Sequence, residues 1–432
     1  MSRKMKDSGI EWIGEIPEEW GVRKIKNSFI IISGNGFPIV IQGQEQGDYP
    51  VCKASDISIN NGKIIFGSDN YITQKQSIAF NIIPKGSVVF PKIGEAMKKN
   101  NRALLGVDAC LDNNCQGLVP LCMNKKYSLY MLSCIDMFWY DNAGTVPCIN
   151  NLRFSNSYIP FPLLSEQQKI ALFLDKKCSE IDSLTADIQK QIEILEQYKK
   201  SVITETVTKG LDPNVKMKDS GIEWIGEIPE EWEVRRLKQC IIGISDGTHG
   251  TFQRVSSGKL LLSAKNVFED GIHINENESM ISENDHNLIT SNGFPKKNDI
   301  LLCCVGTVGR CSLYPFEEPI AFQRSVAMLR SNCDVIAYRL LFYCLLSDSV
   351  LTQERLITNK SAQEGLYQGA IKELRLCLPK NTDEQILLIS YLDSKCSRLD
   401  ELIRLKNQQL ETLAQYKKSL IYEYVTGKRE LN

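Results

Sequence analysis

The chain has 432 residues, of which 43% are hydrophobic and 24% charged, and its formal net charge is −1. This composition excludes a fibrous or disordered protein, and the length predicts two to four domains. No apolar run approaches the roughly 20 residues that span a bilayer, and the first residues lack the apolar region of a secretory signal. The 15 cysteines are scattered and odd in number, so we expect reduced thiols in a cytoplasmic protein.

Charge is unevenly distributed along the chain. Residues 21–161 hold 14 Lys/Arg against 9 Asp/Glu, a net of +5, whereas residues 233–379 hold 16 of each kind. The remaining parts hold 21 against 27, a net of −6. A basic block suits contacts with phosphates, although +5 is a weak signal by itself, and the acidic remainder suits contacts with proteins.

The chain begins with a segment that is repeated. MKDSGIEWIGEIPEEW occupies residues 5–20 and recurs without a change at residues 217–232. Each copy carries two tryptophans eight residues apart with a proline between them. We expect these tryptophans to pin the chain against the adjoining domain or helix, and direct contact with a partner protein is the alternative. The residues concerned are Trp12, Pro17, Trp20, Trp224, Pro229 and Trp232.

Each copy of the motif is followed by a variable block, and the two blocks differ in sequence. Both contain a Pro-Lys pair that leads into a β-rich apolar run and then a glycine turn, as in residues 83–99 and 294–310. Strands are predicted at Gly86–Phe90 and Asp299–Val305, and a helix at Val335–Leu346. Each block is long enough for a core of its own and is predicted to form a mixed α/β domain.

A second repeat follows each block and is helical by pattern. FLDKKCSEID (173–182) matches YLDSKCSRLD (391–400), and QYKKSVI (197–203) matches QYKKSLI (415–421). Apolar residues recur in steps of three and four, which predicts two long helices packed as an intramolecular antiparallel coiled coil. The alternative is that each helix packs on its own domain. The predicted packing residues are Ile181, Leu184, Ile188, Leu195, Tyr198, Val202, Leu399, Leu402, Leu413, Tyr416 and Leu420, with Gln191 and Gln409 as polar register markers and Lys406 interrupting the stripe.

Catalytic signatures are missing from the sequence. It contains no G-x-x-x-x-G-K-[ST] phosphate loop, no complete G-x-G-x-x-G and no C-x-x-C pair for zinc. Its three histidines (His249, His273 and His286) all lie in the second half, so a duplicated catalytic histidine is excluded. We therefore predict a protein that is not an enzyme and has neither a catalytic residue nor a metal site.

The repeated segments resemble the specificity (S) subunit of Type I restriction–modification systems. The resemblance is carried by WIGEIPEEW (12–20, 224–232), by SEQQKI (165–170) and DEQI (383–386) at the start of each helix, and by QYKKS (197–201, 415–419). Within the blocks, YPVCKASDI (49–57), ISDGTH (244–249) and AFQRSVAMLR (321–330) resemble segments of that family's target-recognition domains. The resemblance extends over essentially the whole chain, in the family's order.

The resemblance implies an α+β fold. Two mixed α/β target-recognition domains would be joined by two long antiparallel helices that form an intramolecular coiled coil with pseudo-twofold symmetry. The expected divisions are residues 1–161 (motif and first domain), 162–212 (first helical spacer), 213–379 (repeated motif and second domain) and 380–432 (second helical spacer).

The resemblance also implies a function in DNA recognition. Each domain would read one half of a bipartite, asymmetric site in double-stranded DNA, and the helices would set the spacer and dock two methyltransferase (M) subunits. The complex would methylate adenine and, with restriction (R) subunits, cleave DNA. S-adenosylmethionine, ATP and Mg would be held by the partner subunits and no cofactor by this chain.

Candidate DNA-binding residues are polar side chains near the glycine turns of each block. Arg and Lys suit guanine, Asn and Gln suit adenine, and Ser and Thr suit either. In the first block the candidates are Lys92, Lys98, Lys99, Asn100, Asn101 and Arg102. In the second they are Thr248, His249, Lys265, Asn266, Arg310, Gln323 and Arg324.

Two other functions stay open at the level of sequence. One is a coiled-coil DNA-binding regulator or scaffold that acts without a methyltransferase. The other is an S-like chain that serves a related system in which methylation and cleavage are organised differently. Co-purification with a methyltransferase subunit would distinguish the regulator from the S subunit.

Overall fold

A computed structural model describes residues 3–358 and 365–431. The chain divides into two compact units, the first formed by Met1–Ile188 with Gln408–Asn432 and the second by Gln189–Asn407. Each unit therefore combines one variable block with a part of both long helices. Across the described ranges, we find no helix that is both long and apolar enough to cross a membrane.

Unit 1 contains short strands and short helices ahead of the first long helix. Its strands are β1 (Met5–Ile10), β2 (Gly14–Pro17), β3 (Gly21–Lys24), β4 (Phe29–Ser33), β5 (Tyr49–Cys52), β6 (Ile64–Ile65), β7 (Tyr71–Ile72), β8 (Val88–Pro91), β9 (Ala103–Leu105), β10 (Cys110–Leu111), β11 (Cys115–Pro120) and β12 (Tyr158–Phe161). Its short helices are α1 (Ile25–Ser28), α2 (Ala54–Ile59), α3 (Glu95–Lys98), α4 (Lys125–Ser133) and α5 (Asn151–Asn156).

The first long helix, α6, spans Leu164–Lys209 and passes from unit 1 into unit 2. The strands of unit 2 are β13 (Met217–Asp219), β14 (Glu227–Pro229), β15 (Glu233–Arg236), β16 (Ile241–Asp246), β17 (Lys259–Leu262), β18 (Val267–Phe268), β19 (Gly271–Ile272), β20 (Met280–Ile281), β21 (Ile300–Cys303), β22 (Cys311–Leu313), β23 (Ala321–Phe322), β24 (Val326–Ser331) and β25 (Arg375–Leu378). Its helices are α7 (Glu283–Thr290), α8 (Tyr338–Leu346), α9 (Asp348–Thr358), α10 (Gln368–Glu373) and the second long helix, α11 (Thr382–Val425).

The central sheet of unit 1 has the order β4-β11-β8-β9-β6. Strand β11 runs antiparallel to β4 and to β8, with Leu118 opposite both Ile31 and Val88. Successive strand residues point to opposite faces, so Val88 packs with α4 and α5 while Val89 packs with α2. A second sheet, β10-β5-β7, contains the parallel pair β5–β10.

Unit 2 has the same arrangement despite its different sequence. Its central sheet has the order β16-β24-β21-β22, and its second sheet, β20-β17-β23, contains the parallel pair β17–β23. The strands predicted after each Pro-Lys pair correspond to β8 and β21, and the predicted helix near residue 340 corresponds to α8. The predicted mixed α/β character of both blocks is confirmed.

The repeated motif forms the same contact in both units. Trp20 and Trp232 are each 1% exposed. The indole Nε1 of Trp20 donates to Glu166 and that of Trp232 to Glu384, both at 2.9 Å. Both acceptors lie in the first turn of a long helix, so the predicted packing role is confirmed for these two tryptophans. Trp224, by contrast, is 41% exposed.

The long helices pair antiparallel in each unit. In unit 1 the first half of α6 packs on the last turns of α11, and the rings of Phe173 and Tyr424 lie 4.5 Å apart. The ammonium of Lys417 lies 2.5 Å from the carboxylate of Asp182. In unit 2 the second half of α6 pairs with the first half of α11, and Lys199 lies 2.7 Å from Asp400. These four charged residues are equivalent positions of the repeat, so equivalent pairs recur.

The observed seam of buried helix residues is shifted relative to the predicted seam. At every second position the buried residue lies one place further along the chain. Residues 178, 181, 185, 188, 192, 195, 199, 202 and 206 of α6 are buried or half-buried, as are residues 396, 399, 403, 406, 410, 413, 417, 420 and 424 of α11. The predictions for Ile181, Leu195, Val202, Leu399, Leu413 and Leu420 therefore agree with the burial pattern. Leu184, Tyr198, Leu402 and Tyr416 are 45–50% exposed, and the prediction that they pack in the seam is wrong.

At positions 185, 199 and 417 the physical reason is that a polar residue occupies the seam. Thr185 and Lys199 lie where a search for apolar residues selects Leu184 and Tyr198. A lysine is accommodated at the seam because its aliphatic stem packs between the helices while its ammonium reaches a carboxylate at the rim. Lys199 does this with Asp400. Gln191 and Gln409 are exposed and do not mark the register from within the seam.

Candidate nucleic-acid interface

In unit 1 one end of the central sheet, where its strands terminate, faces the long helices. Strand β11 ends at Pro120, and the chain then reaches Asn124, whose backbone N–H donates to Gln167 Oε1 of α6 at 2.8 Å. The ends of β4 and β8 and the starts of β9 and β11 lie at the opposite end of the sheet. We call this the distal edge, and in unit 1 it comprises residues 34–36, 92–102 and 112–114.

Unit 2 is oriented on its helix in the same way. After β24 the chain reaches Ala337, whose backbone N–H donates to Gln385 Oε1 of α11 at 3.1 Å. The distal edge of unit 2 comprises residues 247–249, 304–310 and 323–325, which follow β16 and β21 and precede β22 and β24.

A glycine allows close backbone contact at the distal edge of each unit. A Cβ atom at Gly34 would lie 1.9 Å from the carbonyl oxygen of Asp112, and one at Gly247 would lie 2.2 Å from that of Gln323. The next residues, Asn35 and Thr248, form parallel bridges to the same two partners. The two distal edges are therefore built on one backbone plan that requires glycine at this point.

In unit 1 the candidate lysines lie along the distal edge. Lys92 follows β8 and is half-buried, and Lys98 and Lys99 are exposed at the end of α3. The Lys98 ammonium lies 2.7 Å from the Glu95 carboxylate, an exposed pair that contributes little to stability. These side chains can reach a phosphate or a base edge brought to this edge.

Asn100, Asn101 and Arg102 turn toward the protein. Arg102 is 1% exposed and donates to the carbonyl oxygens of Asn100, at 2.9 Å, and Ile135. Burial lowers the pKa of its guanidinium to about 10. Asn100 Oδ1 accepts from the Met137 N–H at 3.0 Å, and Asn101 donates to a serine hydroxyl at 3.1 Å. Arg102 thus offers no surface to a base, and we assign it to the support of the turn.

In unit 2 three candidates adjoin at the distal edge. The Arg324 N–H donates to the Thr248 carbonyl at 3.0 Å, and Thr248 is bridged to Gln323. His249 follows and is exposed. The structure therefore brings together four of the seven residues predicted in this block.

The other three candidates gather around Ala264, in the turn after β17. The guanidinium of Arg310 donates to the Ala264 carbonyl and lies 4.4 Å from the centre of the Phe268 ring. The Ala264 N–H donates to the Ser325 hydroxyl at 3.1 Å, which joins this turn to the distal edge. Arg310 is therefore positioned beside Thr248, Gln323 and Arg324 through a short chain of contacts.

Asn266 and Lys265 have different environments within this turn. Asn266 is fully buried, and its Oδ1 accepts from the Ser263 N–H at 3.1 Å while its Nδ2 donates to Glu278 at 2.7 Å. It shapes the turn and has no surface for DNA. The ammonium of Lys265 lies 2.7 Å from Glu278. That contact lowers the pKa of the Glu278 carboxyl to about 2.

Lys53 is a residue of unit 1 that the sequence analysis missed. It follows β5 as Ser263 follows β17, and its N–H donates to Asp56 Oδ2 at 2.7 Å, as the Ser263 N–H donates to Asn266. Aligning KASD (53–56) with SAKN (263–266) on the preceding parallel strands would have placed Lys53 in the candidate interface. No group of three or more His, Cys, Asp or Glu arranged for a metal ion occurs in the described part of the chain.

Comparisons with known proteins agree with the predicted family. Residues 17–194 match the family model for the Type I restriction modification DNA specificity domain. The putative type I restriction enzyme MjaX specificity subunit of Methanocaldococcus jannaschii is 25% identical over 96% of this chain and 95% of its own length. The type I restriction enzyme MjaVIII specificity subunit of the same organism is 25% identical over 96% of this chain and 93% of its own length.

A solved structure shows that the fold is shared. A chain from a structure on complex assembly and conformational transition of the type I R-M system superposes with a TM-score of 0.66. It is 15% identical, and the match covers 96% of this chain and 99% of that chain. At this identity the likeness shows the fold.

Proposed function

Because the chain belongs to the family of Type I restriction–modification DNA specificity subunits, we propose that each of its units reads one half of a bipartite site in double-stranded DNA. The observation that carries this proposal is the pair of distal edges. Both are built on the same backbone plan, yet they present different side chains. Two DNA-binding domains with the same backbone plan but different side chains suit an asymmetric site with two unlike halves.

The long helices and the repeated motifs are the proposed docking surface for partner proteins. Two M subunits would bind because the repeat offers two equivalent surfaces, and R subunits would join the full complex. We propose that this chain is not catalytic, and that S-adenosylmethionine, ATP and Mg act on the partner subunits. The complex would methylate adenine in the cytoplasm. A regulator that acts without a methyltransferase is not favoured, since the relatives reported above are named as specificity subunits.

The direct test is co-expression with the neighbouring methyltransferase gene, followed by single-molecule mapping of methylation in host DNA. We expect methylated adenines in a split motif with a fixed spacer, present when this chain is expressed and absent without it. The absence of chain-dependent methylation in the presence of soluble partner would contradict the proposal.

Single substitutions assign the halves of the motif to the units. Arg324→Ala should relax specificity at one position of the half read by unit 2, with a loss of about 1–3 kcal/mol. Lys99→Ala should weaken binding to all sequences alike if this lysine contacts phosphate. Lys259→Ala is a matched control because Lys259 is exposed at the start of β17, at the opposite end of that strand from the Ala264 turn.

A further inference from the structure

The loops that follow the two distal edges differ in the chemistry of their side chains. In unit 1 the loop after Asn35 contains FPIVIQ (37–42), whereas in unit 2 the loop after Thr248 contains HGTFQR (249–254). His249, Gln253 and Arg254 are exposed in unit 2, so the second loop presents polar side chains. The first loop presents apolar ones.

Two apolar residues stand at the tip of the unit 1 loop. Ile39 is 86% exposed and Val40 is 91% exposed. The residues on either side, Phe37 and Ile41, are half-buried against a small core that contains Val51. The loop is therefore anchored at both ends, and its two middle side chains have no packing partner among the described residues.

The tip is braced by polar contacts as well. Gln42 Nε2 donates to the Phe37 carbonyl at 2.8 Å, and Lys53 Nζ donates to Gln42 Oε1 at 3.1 Å. The same ammonium lies 5.2 Å from the centre of the Phe37 ring. Pro38 precedes a short 3-10 turn at Ile39–Ile41, which fixes the backbone further. An apolar tip that is held rigid in water is suited to a partner, because it binds without losing conformational freedom.

The position of the tip identifies the partner as DNA. The loop starts at the distal edge, where Asn35 is bridged to Asp112, and Asn114 of the same turn accepts from the Lys92 N–H at 2.8 Å. Lys98 and Lys99 are exposed on this edge, and Lys53 adds a positive charge beside the tip. DNA presents apolar surface where thymine carries its methyl group and where a base step is unstacked.

We propose that Ile39 and Val40 contact bases of the half-site that unit 1 reads. Unit 1 then recognises its half-site partly by apolar contact, where unit 2 offers hydrogen-bonding side chains at the equivalent place. The inference rests on the proposed function, since it requires the chain to bind DNA through its distal edges.

The test is the double variant Ile39→Ser/Val40→Ser in the complex with the methyltransferase, measured on the site found by methylation mapping of the wild type. We expect affinity for that site to fall about tenfold, because apolar area is no longer buried on binding. Thermal unfolding should be unchanged, since both side chains are exposed in the free chain. Leu152→Ser is the matched control: Leu152 is 74% exposed in α5, and its loss should change affinity less than about twofold.

Two DNA substitutions separate the possible contacts. Replacing thymine by uracil in the unit 1 half-site should weaken wild-type binding, and not binding of the variant, if the tip contacts methyl groups. The fluorescence of a 2-aminopurine base in the same half-site should increase when the wild type binds, and not when the variant binds, if the tip unstacks a base step. Either result supports the proposal.

Three results would overturn it. Unchanged affinity of the variant for DNA would show that the tip does not touch the site. A loss of affinity without either response would place the tip on the sugar–phosphate backbone. A variant that no longer assembles with the methyltransferase would make the tip a protein-binding surface. In all three, wild-type methylation of a split motif would persist, whereas its absence would reject the proposed function itself.

Discussion

The two units are alike where they meet the helices and unlike at their distal edges. At the helix side, the carboxylate of Asp175 accepts from the Tyr130 hydroxyl at 2.8 Å in unit 1, and Asp393 accepts from Tyr343 at 2.6 Å in unit 2. The two aspartates are equivalent positions of the repeat. Each also pairs with a basic residue of its own domain. The helix contact is thus reproduced by side chains of two domains that differ in sequence.

At the distal edge the shared features are confined to the backbone. Gly34 and Gly247 permit the same close approach, but the loops that follow carry apolar residues in one unit and polar residues in the other. The comparison teaches that the helix contacts fix how each domain is held, which leaves its far edge free to vary.

The largest expected effect concerns the tryptophans of the repeated motif. Trp20→Ala and Trp232→Ala should each lower the free energy of unfolding by about 3–5 kcal/mol, because each removes a large buried ring and the indole N–H that donates to a helix glutamate. Hydrogen exchange followed by mass spectrometry should show faster exchange in the substituted unit.

Trp224→Ala provides the control, since Trp224 is 41% exposed and its loss should cost less than about 1 kcal/mol. If the Trp20 or Trp232 variant keeps wild-type stability but no longer binds the methyltransferase, the motif acts in docking and the packing role is refuted.

Within the described part of the chain, unit 2 contains a buried carboxyl without a hydrogen-bond partner, that of Glu354. Glu354 is 1% exposed, and neither of its oxygens has a hydrogen-bond partner among the described residues. A Cβ atom at Gly309, in the distal turn between β21 and β22, would lie 2.4 Å from its carboxyl oxygen. Burial raises the pKa of Glu354 from 4.5 to about 8, so the folded chain keeps a proton that the unfolded chain releases.

Glu354→Gln should therefore remove a pH dependence of stability. Between pH 4.5 and 8 the Glu354 carboxyl should reduce the stability of the wild type by about 1.4 kcal/mol per pH unit as pH rises, and this contribution should level off above pH 8. Urea unfolding from pH 5 to 9 measures the slope. Identical slopes in the wild type and Glu354→Gln would refute the assignment, and Glu269→Gln at an exposed position should leave the slope unchanged.

Buried glutamines test the helix side directly. Gln167 is fully buried and accepts from the Asn124 N–H while donating to the Pro162 carbonyl at 2.9 Å. Gln167→Met leaves both backbone groups without partners and should cost about 1–3 kcal/mol. Gln385→Met in unit 2 should cost a similar amount, because Gln385 accepts from the Ala337 N–H and donates to the Val335 and Pro379 carbonyls.

The neighbouring Gln168 is exposed, so Gln168→Met should change stability by less than about 0.5 kcal/mol. Chemical denaturation of the three variants provides the comparison. Unequal losses for Gln167→Met and Gln385→Met would show that the two helix contacts differ in strength despite their common geometry.

The sequence was sufficient to predict the repeat, the long helices and the mixed α/β blocks, because these depend on periodicity and identity along the chain. It also predicted the stretch 92–102 as part of the candidate site. It could not predict that Arg102 turns inward, because its acceptor is the carbonyl of Ile135, which α4 brings into place. Only part of the helix seam was predicted, for a related reason. Lys199 belongs to the seam because it pairs with Asp400, and a search for apolar residues does not detect such an ion pair.

The smallest expected effect comes from the ion pairs between the helices. Asp182 with Lys417 and Asp400 with Lys199 are equivalent and partly exposed pairs, so each should contribute about 0.2–1 kcal/mol. Double-mutant cycles with Asp182→Asn and Lys417→Met, and with Asp400→Asn and Lys199→Met, measure the two coupling energies. Both coupling energies should decrease in 1 M salt, where the Debye length is about 3 Å. Equal couplings would show that one antiparallel register is held with the same strength in both units. If one coupling is absent, the helix pairing of that unit depends on its apolar seam, and the likeness of the units at the helix side is one of geometry and not of energy.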